Sequence, residues 1–378
     1  MYRLIRVPLS RFSLSWLSLS SLLLALLMAP LHAAESPIQD HPIQTTPMSG
    51  GDGSVEQFDH NAYSLPLGNM AMTKRLDFSV GNSFFRNPWV AAPASTEARD
   101  GLGPLLNTNS CQGCHLKDGR GHPPTEDENP IALFLRLSLP ASQADSATLE
   151  QRGALPVPNY GLQLQTAAIS GAQPEGKLVI DYRPREVRFA DDHRVTLQEP
   201  IYSIAEPAYG ELPDALQTSP RLAPPMIGLG LLEAIPEADL IAVADPDDAD
   251  GDGISGRANQ VWDMRSGTTV VGRFGWKAGE PSVEQQGLHA FAGDMGLTSS
   301  LVPHTDCMAS QGCDDFPNGG TPEVSDDVAD FVTFYASSLA VPMRRNMSDP
   351  GVKRGAERFN ALGCASCHTP RQHTAEDA

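Results

Sequence analysis

Two stretches of the sequence share one cysteine spacing: NTNSCQGCHLKDGRGHPP at residues 107–124 and LGCASCHTP at residues 362–370. The residues with the spacing Cys-x-x-Cys-His are Cys111, Cys114 and His115 in the first stretch, and Cys364, Cys367 and His368 in the second. Two thiols at this separation reach the two vinyl groups on one edge of a porphyrin, and the adjacent imidazole then lies below the iron. The spacing therefore predicts two covalently attached c-type haems, with His115 and His368 as iron ligands.

A redox-active cysteine pair or a zinc site is the alternative interpretation of each motif. Each pair is followed by its own histidine, and the six cysteines of the chain include no paired set of zinc ligands, so we favour haem attachment. Cys307 and Cys313 are left over. In an exported protein, two cysteines this close in sequence predict a disulfide.

The start of the 378-residue chain has the features of a secretory signal. Arginines precede an apolar run at residues 16–28, and small residues follow in LHAAE at residues 31–35. We expect residues 1–34 to be a cleaved signal peptide, with an uncleaved membrane anchor as the alternative. The mature protein is then expected to be periplasmic, with no stable membrane insertion.

The charge of the chain bears on its partners. Removing the three arginines of the leader takes the formal net charge from −19 to about −22. This acidity argues against a nucleic-acid partner, because phosphates require a basic face. It suits the steering of a basic protein partner, although solubility alone explains it equally well.

The remaining sequence patterns predict the domain organisation. Residues 35–70 are polar and rich in Gly, Ser and Pro, which predicts an extended lead-in. We expect a first cytochrome c-like haem domain with insertions at residues 71–345. In GVKRGAERFNALGCASCH, residues 351–368, an amphipathic helix runs into the second motif, as at the start of a cytochrome c domain. Residues 346–378 are therefore expected to begin a second haem domain, which is either truncated or completed by a partner.

The predicted fold class is mainly α, with two cytochrome c-like haem domains and a small β-hairpin insertion. The hairpin is expected at residues 177–200, where apolar and polar residues alternate on both sides of ADDH. A helix is expected at residues 325–340, with Ser325 as its N-cap and Pro342 beyond its end. Pro236 should separate two short helices.

An acidic stretch, DADGDGISGRAN at residues 248–259, resembles the first half of a calcium-binding loop. Asp248, Asp250 and Asp252 alternate, and Gly253 permits the sharp turn that lets their carboxylates converge on one hard cation. The twelfth position is Asn259, where an EF-hand has a bidentate Glu. A calcium site and a solvated acidic turn are both open interpretations.

The chain resembles the di-haem oxidoreductases, a branch of the bacterial di-haem cytochrome c peroxidase superfamily. The stretches that carry the resemblance are residues 101–124, 248–259, 272–299 and 362–370. The resemblance implies that the first haem handles peroxide and that the second accepts electrons. It also implies that Trp276 helps electrons pass between the haems, and that Gln286 and Asp294 line the peroxide pocket. The chain departs from the peroxidase pattern with Asp for Glu at residue 294, and with KAGE after the tryptophan.

Three functions remain open from the sequence. The leading hypothesis is an exported peroxidase-type oxidoreductase that passes electrons from a small redox protein, or another donor, to peroxide. A pure electron-transfer cytochrome, with both irons six-coordinate, is the alternative, and a haem enzyme acting on a protein or organic substrate is the third. The candidates for a sixth iron ligand are Met226, Met295, His122, His289 and His304.

Overall fold

A computed structural model describes residues 47–124 and 131–375, so the predicted signal peptide lies outside the described residues. Within them there are eight α-helices, none longer than 13 residues. The helices are α1 (Arg75–Arg86), α2 (Cys111–Cys114), α3 (Ser146–Arg152), α4 (Leu229–Glu233), α5 (Glu237–Ala242), α6 (Val283–Met295), α7 (Asp326–Ser337) and α8 (Pro350–Ala361). The described residues cluster into one compact unit.

The strands of the described ranges form four antiparallel pairs, β1 with β3, β2 with β6, β4 with β5, and β7 with β8. Their bounds are β1 (Leu105–Leu106), β2 (Leu133–Ser138), β3 (Ala167–Ala168), β4 (Lys177–Arg188), β5 (Arg194–Ala205), β6 (Gln217–Leu222), β7 (Gln260–Asp263) and β8 (Thr268–Val271). The pairs β2–β6 and β1–β3 join segments far apart in sequence, so β-structure is distributed through the unit.

The predicted fold class is wrong. Helix makes up only 29% and strand 20% of the structure, with several small antiparallel sheets, so this is not a mainly α haem-domain fold. One reason is composition: the chain has 33 glycines and 32 prolines, which interrupt helices and keep them short. Another is β2, an apolar segment with an alternating burial pattern whose distant partner β6 could not be identified from local sequence.

Several local predictions are confirmed. The hairpin β4–β5 starts at Lys177, and its strands pair in register from Lys177 with Ala205 to Arg188 with Arg194. Ser325 caps α7 by accepting a hydrogen bond from the Val328 N–H. Helices α4 and α5 lie on either side of Pro236, as predicted. The helix predicted before the second motif is also present, as α8.

The disulfide between Cys307 and Cys313 is confirmed as well. No helix within the described ranges 47–124 and 131–375 is both long enough and apolar enough to span a membrane.

The main hydrophobic core lies where α1, α6 and α7 pack together. Phe78 and Phe85 of α1 contact Tyr335 of α7, with ring centroids 4.7 and 5.2 Å apart. Gly81 allows α1 and α7 to approach closely, because a Cβ at that position would overlap the carbonyl oxygen of Phe331. This core supports the first cysteine motif, since Cys111 packs against it.

Candidate functional site

The first Cys-x-x-Cys-His motif consists of α2 and the histidine after it. Ser110 is the N-cap: its backbone is extended, and its hydroxyl oxygen accepts a hydrogen bond from the Gly113 N–H at 3.2 Å. The His115 N–H donates to the Cys111 carbonyl oxygen at 3.0 Å. Cys114 is buried and Cys111 half-buried. A single capped turn therefore positions both sulfur atoms and the imidazole.

The ring of His115 is oriented by a backbone carbonyl. Its Nδ1 lies 2.7 Å from the carbonyl oxygen of Pro224. A carbonyl oxygen can only accept, so Nδ1 carries the hydrogen and Nε2 keeps its lone pair, the arrangement usual for metal-ligating histidines. Burial lowers the pKa of His115, which favours the neutral ring that ligation requires. His115 therefore fits the role of a haem iron ligand.

The two thiols of this motif are poor thiolates. Burial, followed by the nearby charge of Asp294, raises the pKa of Cys111 and of Cys114 to about 12. A redox-active cysteine acts as a thiolate and requires a lowered pKa. This environment argues against a redox dithiol at the first motif.

Asp294, near the end of α6, lies directly against the first motif. Its carbonyl oxygen accepts hydrogen bonds from the backbone N–H groups of Asn107 at 2.8 Å and Thr108 at 3.1 Å. Burial raises the pKa of its carboxyl group, against the opposing effect of a hydrogen bond from Gln163. Withdrawal from water favours the protonated form of this carboxyl, which can then donate a proton.

Gln163 connects this carboxyl to the segment before the motif. Its Nε2 donates to Asp294 Oδ1 at 2.8 Å, to Asn107 Oδ1 at 2.6 Å and to the Gly293 carbonyl oxygen at 3.2 Å. Three acceptors fix the amide orientation, and the opposite Oε1 is buried with no hydrogen-bond donor among the described residues. Gln165 also donates to the Gly293 carbonyl, at 2.8 Å, and has a buried Oε1 of the same kind. Buried acceptors without donors are costly, and a small donor such as water would satisfy them.

Neither glutamine was predicted from the sequence. In YGLQLQ, residues 160–165, glutamine and leucine alternate, which normally indicates one solvated face. Here Gln163, Leu164 and Gln165 are all buried. Alternation of this kind predicts that only one face of a strand is buried. The sequence therefore gives no signal that the two glutamines are buried together with the leucine between them.

The other residues predicted for the peroxide pocket lie as follows. Gln286 is half-buried on α6, eight positions before Asp294 and therefore rotated from it by about 80°. In the part of the chain that the structure describes, no hydrogen bond joins the two side chains. Trp276 lies on the loop before α6, and 64% of its surface is exposed. Asp294 is thus next to the first motif, whereas Trp276 faces solvent.

The second motif forms the same kind of turn after α8. The His368 N–H donates to the Cys364 carbonyl oxygen at 3.0 Å, which repeats the bond of the first motif. Its surroundings differ, since Cys367 is exposed and the apolar face of α8 is only partly covered, with Leu362 78% exposed. The His368 ring lies 5.7 Å from that of Phe359.

Residues 44–378, which include both motifs, match the family described as "Di-haem oxidoreductase, putative peroxidase". The chain belongs to this family. The membership supports haem cofactors and a general oxidoreductase role. The comparison with curated proteins found no match, and neither did the comparison with solved structures.

The candidate sixth ligands of this di-haem oxidoreductase lie in different environments. Met295 is buried in the main core, and Met226 is half-buried against it. His289 is half-buried, with its Nδ1 2.8 Å from a carboxylate oxygen of Glu280. His122 and His304 are exposed. The assignment of any of them to iron stays a prediction.

The acidic loop of this di-haem oxidoreductase gathers three carboxylates. Ligand oxygens of Asp245, Asp248 and Asp250 lie within 4.8 Å of one another. Asp248 and Asp250 belong to the predicted set, whereas the third predicted residue, Asp252, lies outside this cluster. Asp245, which precedes the DADGDG pattern, was missed.

Proposed function

We propose that this di-haem oxidoreductase is an exported c-type cytochrome of peroxidase type. Cys364, Cys367 and His368 would hold the haem that accepts electrons from a small redox protein or another donor. The first motif would hold the haem at which peroxide is reduced. The observation that supports this most directly is the half-buried Asp294 carboxyl, which accepts a hydrogen bond from Gln163 and belongs to a residue whose carbonyl oxygen bonds the segment just before the first motif.

The carboxyl of Asp294 supplies the proton transfer. Reduction of hydrogen peroxide consumes two electrons and two protons and yields two water molecules, and the haem iron would bind the peroxide and deliver the electrons. Asp294 would take a proton from one peroxide oxygen and return it to the other, so that the O–O bond breaks and the protonated oxygen leaves as water. The remaining oxygen takes up the two electrons and two protons and forms the second water. The upward shift of the Asp294 pKa supports this role, because a carboxyl that accepts a proton more readily is a better base for the first transfer.

Amide groups orient the reactants without competing for the proton. Gln163 holds the Asp294 carboxyl through the hydrogen bond that its Nε2 donates. Gln286 retains the peroxide-orienting role that the family resemblance implies, and Trp276 the role in electron passage. The haem on the first motif is attached through Cys111 and Cys114, with His115 as its iron ligand.

The proposal also includes a bound calcium ion and export of the protein. Asp245, Asp248 and Asp250 would hold the ion, since three converging carboxylate oxygens match the preference of Ca²⁺ for hard ligands. Residues 1–34 act as the signal peptide, and the mature protein works in the periplasm.

The test uses the full chain, matured in a host that attaches haem. Optical spectra are recorded on the half-reduced protein while hydrogen peroxide is added. Rapid oxidation of the reduced haem, with a high-spin band before the addition, is the expected result. Two unreactive low-spin haems would contradict the proposal and favour a pure electron-transfer cytochrome.

A further inference from the structure

We infer that Gln163 is a positioning residue for Asp294, and that a disulfide loop at residues 306–313 holds Gln163 in place. The inference rests on the proposed function, because Asp294 is the proton-transfer group of that proposal. It concerns residues outside both cysteine motifs and outside α6.

The hydrogen bonds of Gln163 fix the carboxyl relative to the first motif. The same Nε2 donates to Asp294 Oδ1 and to Asn107 Oδ1, and Asn107 lies four positions before Cys111. Asn107 in turn donates through Nδ2 to the Leu164 carbonyl oxygen at 2.8 Å. Asp294 therefore cannot rotate without breaking a contact that also ties Gln163 to the segment leading into the motif.

The disulfide loop holds the chain on both sides of Gln163. On one side, the Leu162 N–H donates to a carboxylate oxygen of Asp306 at 2.6 Å. On the other side, the Gln165 N–H donates to Glu175 Oε2 at 2.6 Å. Asp306 belongs to the disulfide loop, and Glu175 accepts a hydrogen bond from a side chain of that loop. Both hydrogen bonds that hold this segment therefore depend on the loop.

Gln311 makes the connection between the loop and Glu175. Its Nε2 donates to Glu175 Oε1 at 2.5 Å and to the Asn159 carbonyl oxygen at 3.0 Å, while its Oε1 accepts from the Met308 N–H at 2.6 Å. The Cys307–Cys313 disulfide closes the loop between Asp306 and Gln311. The cross-link therefore limits how far these two anchors can separate.

The first test compares two buried glutamines of one segment in the haem-loaded protein. Gln163→Met removes the donor to Asp294, whereas Gln165→Met is the matched control, because Gln165 is equally buried and bonds Gly293 but not Asp294. We expect the peroxide-driven oxidation rate to fall at least about tenfold in Gln163→Met, since small misplacements of a catalytic group cost up to about 100-fold. The control should change by less than about threefold. Equal losses in both variants would overturn the inference.

An infrared measurement tests whether Gln163 positions Asp294, independently of the stability of the protein and of its peroxidase activity. Spectra are recorded at a pH low enough to protonate Asp294, and the carbonyl band of its carboxyl group is assigned by its loss in Asp294→Asn. We expect this band to move to higher frequency in Gln163→Met, because a hydrogen bond to the carboxyl is lost, and to stay in place in Gln165→Met. An unmoved band in Gln163→Met would overturn the inference even if the wild-type protein reacts with peroxide. If the wild type does not react, the proposed function fails and the band still decides the positioning role.

Two further variants complete the test. If Gln163→Met does not fold, Gln163→Asn keeps the amide but withdraws it by one methylene, and the same band shift is expected. The double variant Cys307→Ser with Cys313→Ser tests the loop, and its band should broaden or shift in the direction seen for Gln163→Met. An unchanged band in the folded double variant would contradict the role of the disulfide loop.

Discussion

The hydroxyl of Tyr335 donates a hydrogen bond of 2.7 Å to Asp118 Oδ1, between residues 217 positions apart. Both side chains are buried, and Asp118 lies three residues after His115. Burial raises the pKa of Asp118, partly offset by hydrogen bonds from Ser64 and Tyr335. The bond therefore joins α7 to the turn that follows the first motif.

Replacing Tyr335 with Phe should destabilise the protein by about 1–3 kcal/mol, because a buried carboxyl group loses its donor. Urea denaturation of the haem-loaded protein would measure the loss. Tyr209→Phe is the control, since the Tyr209 hydroxyl bonds a backbone carbonyl at an exposed position. If the two variants had the same free energy of unfolding, the Tyr335–Asp118 hydrogen bond would make no measurable contribution to stability.

Asp294→Asn should slow the peroxide-driven oxidation of the reduced haem by about 10²–10⁴-fold, because an amide cannot take the proton. The asparagine oxygen can still accept from Gln163, so the haem spectrum before peroxide addition should be unchanged. Stopped-flow absorbance measures the rate. Asp330→Asn, an exposed carboxylate on α7, should behave as wild type, and a similar rate in Asp294→Asn would remove the residue from the mechanism.

Glu175 should make the stability depend on pH. Burial is the main cause that raises its pKa from 4.5 to about 8, so the folded protein keeps a proton that the unfolded chain releases. Between these pH values the folded state binds more protons, and the free energy of unfolding therefore falls as the pH rises. The contribution is full below about pH 4.5 and lost above about pH 8.

Thermal unfolding from pH 5 to pH 8 tests this dependence. In Glu175→Gln the decline of Tm with pH should be shallower than in wild type, because the titrating group is gone. The exposed Glu206, replaced with Gln, should leave the slope unchanged. Parallel curves for wild type and Glu175→Gln would show that Glu175 ionises normally.

Calcium should raise the Tm of the full protein when added as the chloride salt to chelator-treated samples. A ligand that binds only the folded state stabilises it by about 2.7 kcal/mol at 100 times its Kd. Asp245→Asn should abolish the rise, whereas Asp252→Asn should retain most of it, because Asp252 lies outside the carboxylate cluster. If Asp252→Asn abolished the rise in Tm and Asp245→Asn retained it, the calcium ligands would be those predicted from the sequence. The carboxylate cluster of the fold would then not be the calcium site.

Sequence patterns predicted the parts of this protein that depend on local spacing. The two Cys-x-x-Cys-His motifs, the hairpin from Lys177, the cap at Ser325 and the Cys307–Cys313 pair are all short-range features. The fold class was not predictable in the same way, because strand β2 becomes a strand only through its pairing with β6. Gln163 was missed for a similar reason, since its partners come from residues 107 and 293–294.

Asp294 divides its functions between main chain and side chain. Its carbonyl oxygen anchors Asn107 and Thr108, and any residue at this position supplies that oxygen. The side chain is held separately, by Gln163, which also bonds the Asn107 side chain. An exchange of Asp for Glu at this position would therefore move the carboxyl relative to Gln163, while the main-chain anchor kept the attachment turn in register with α6.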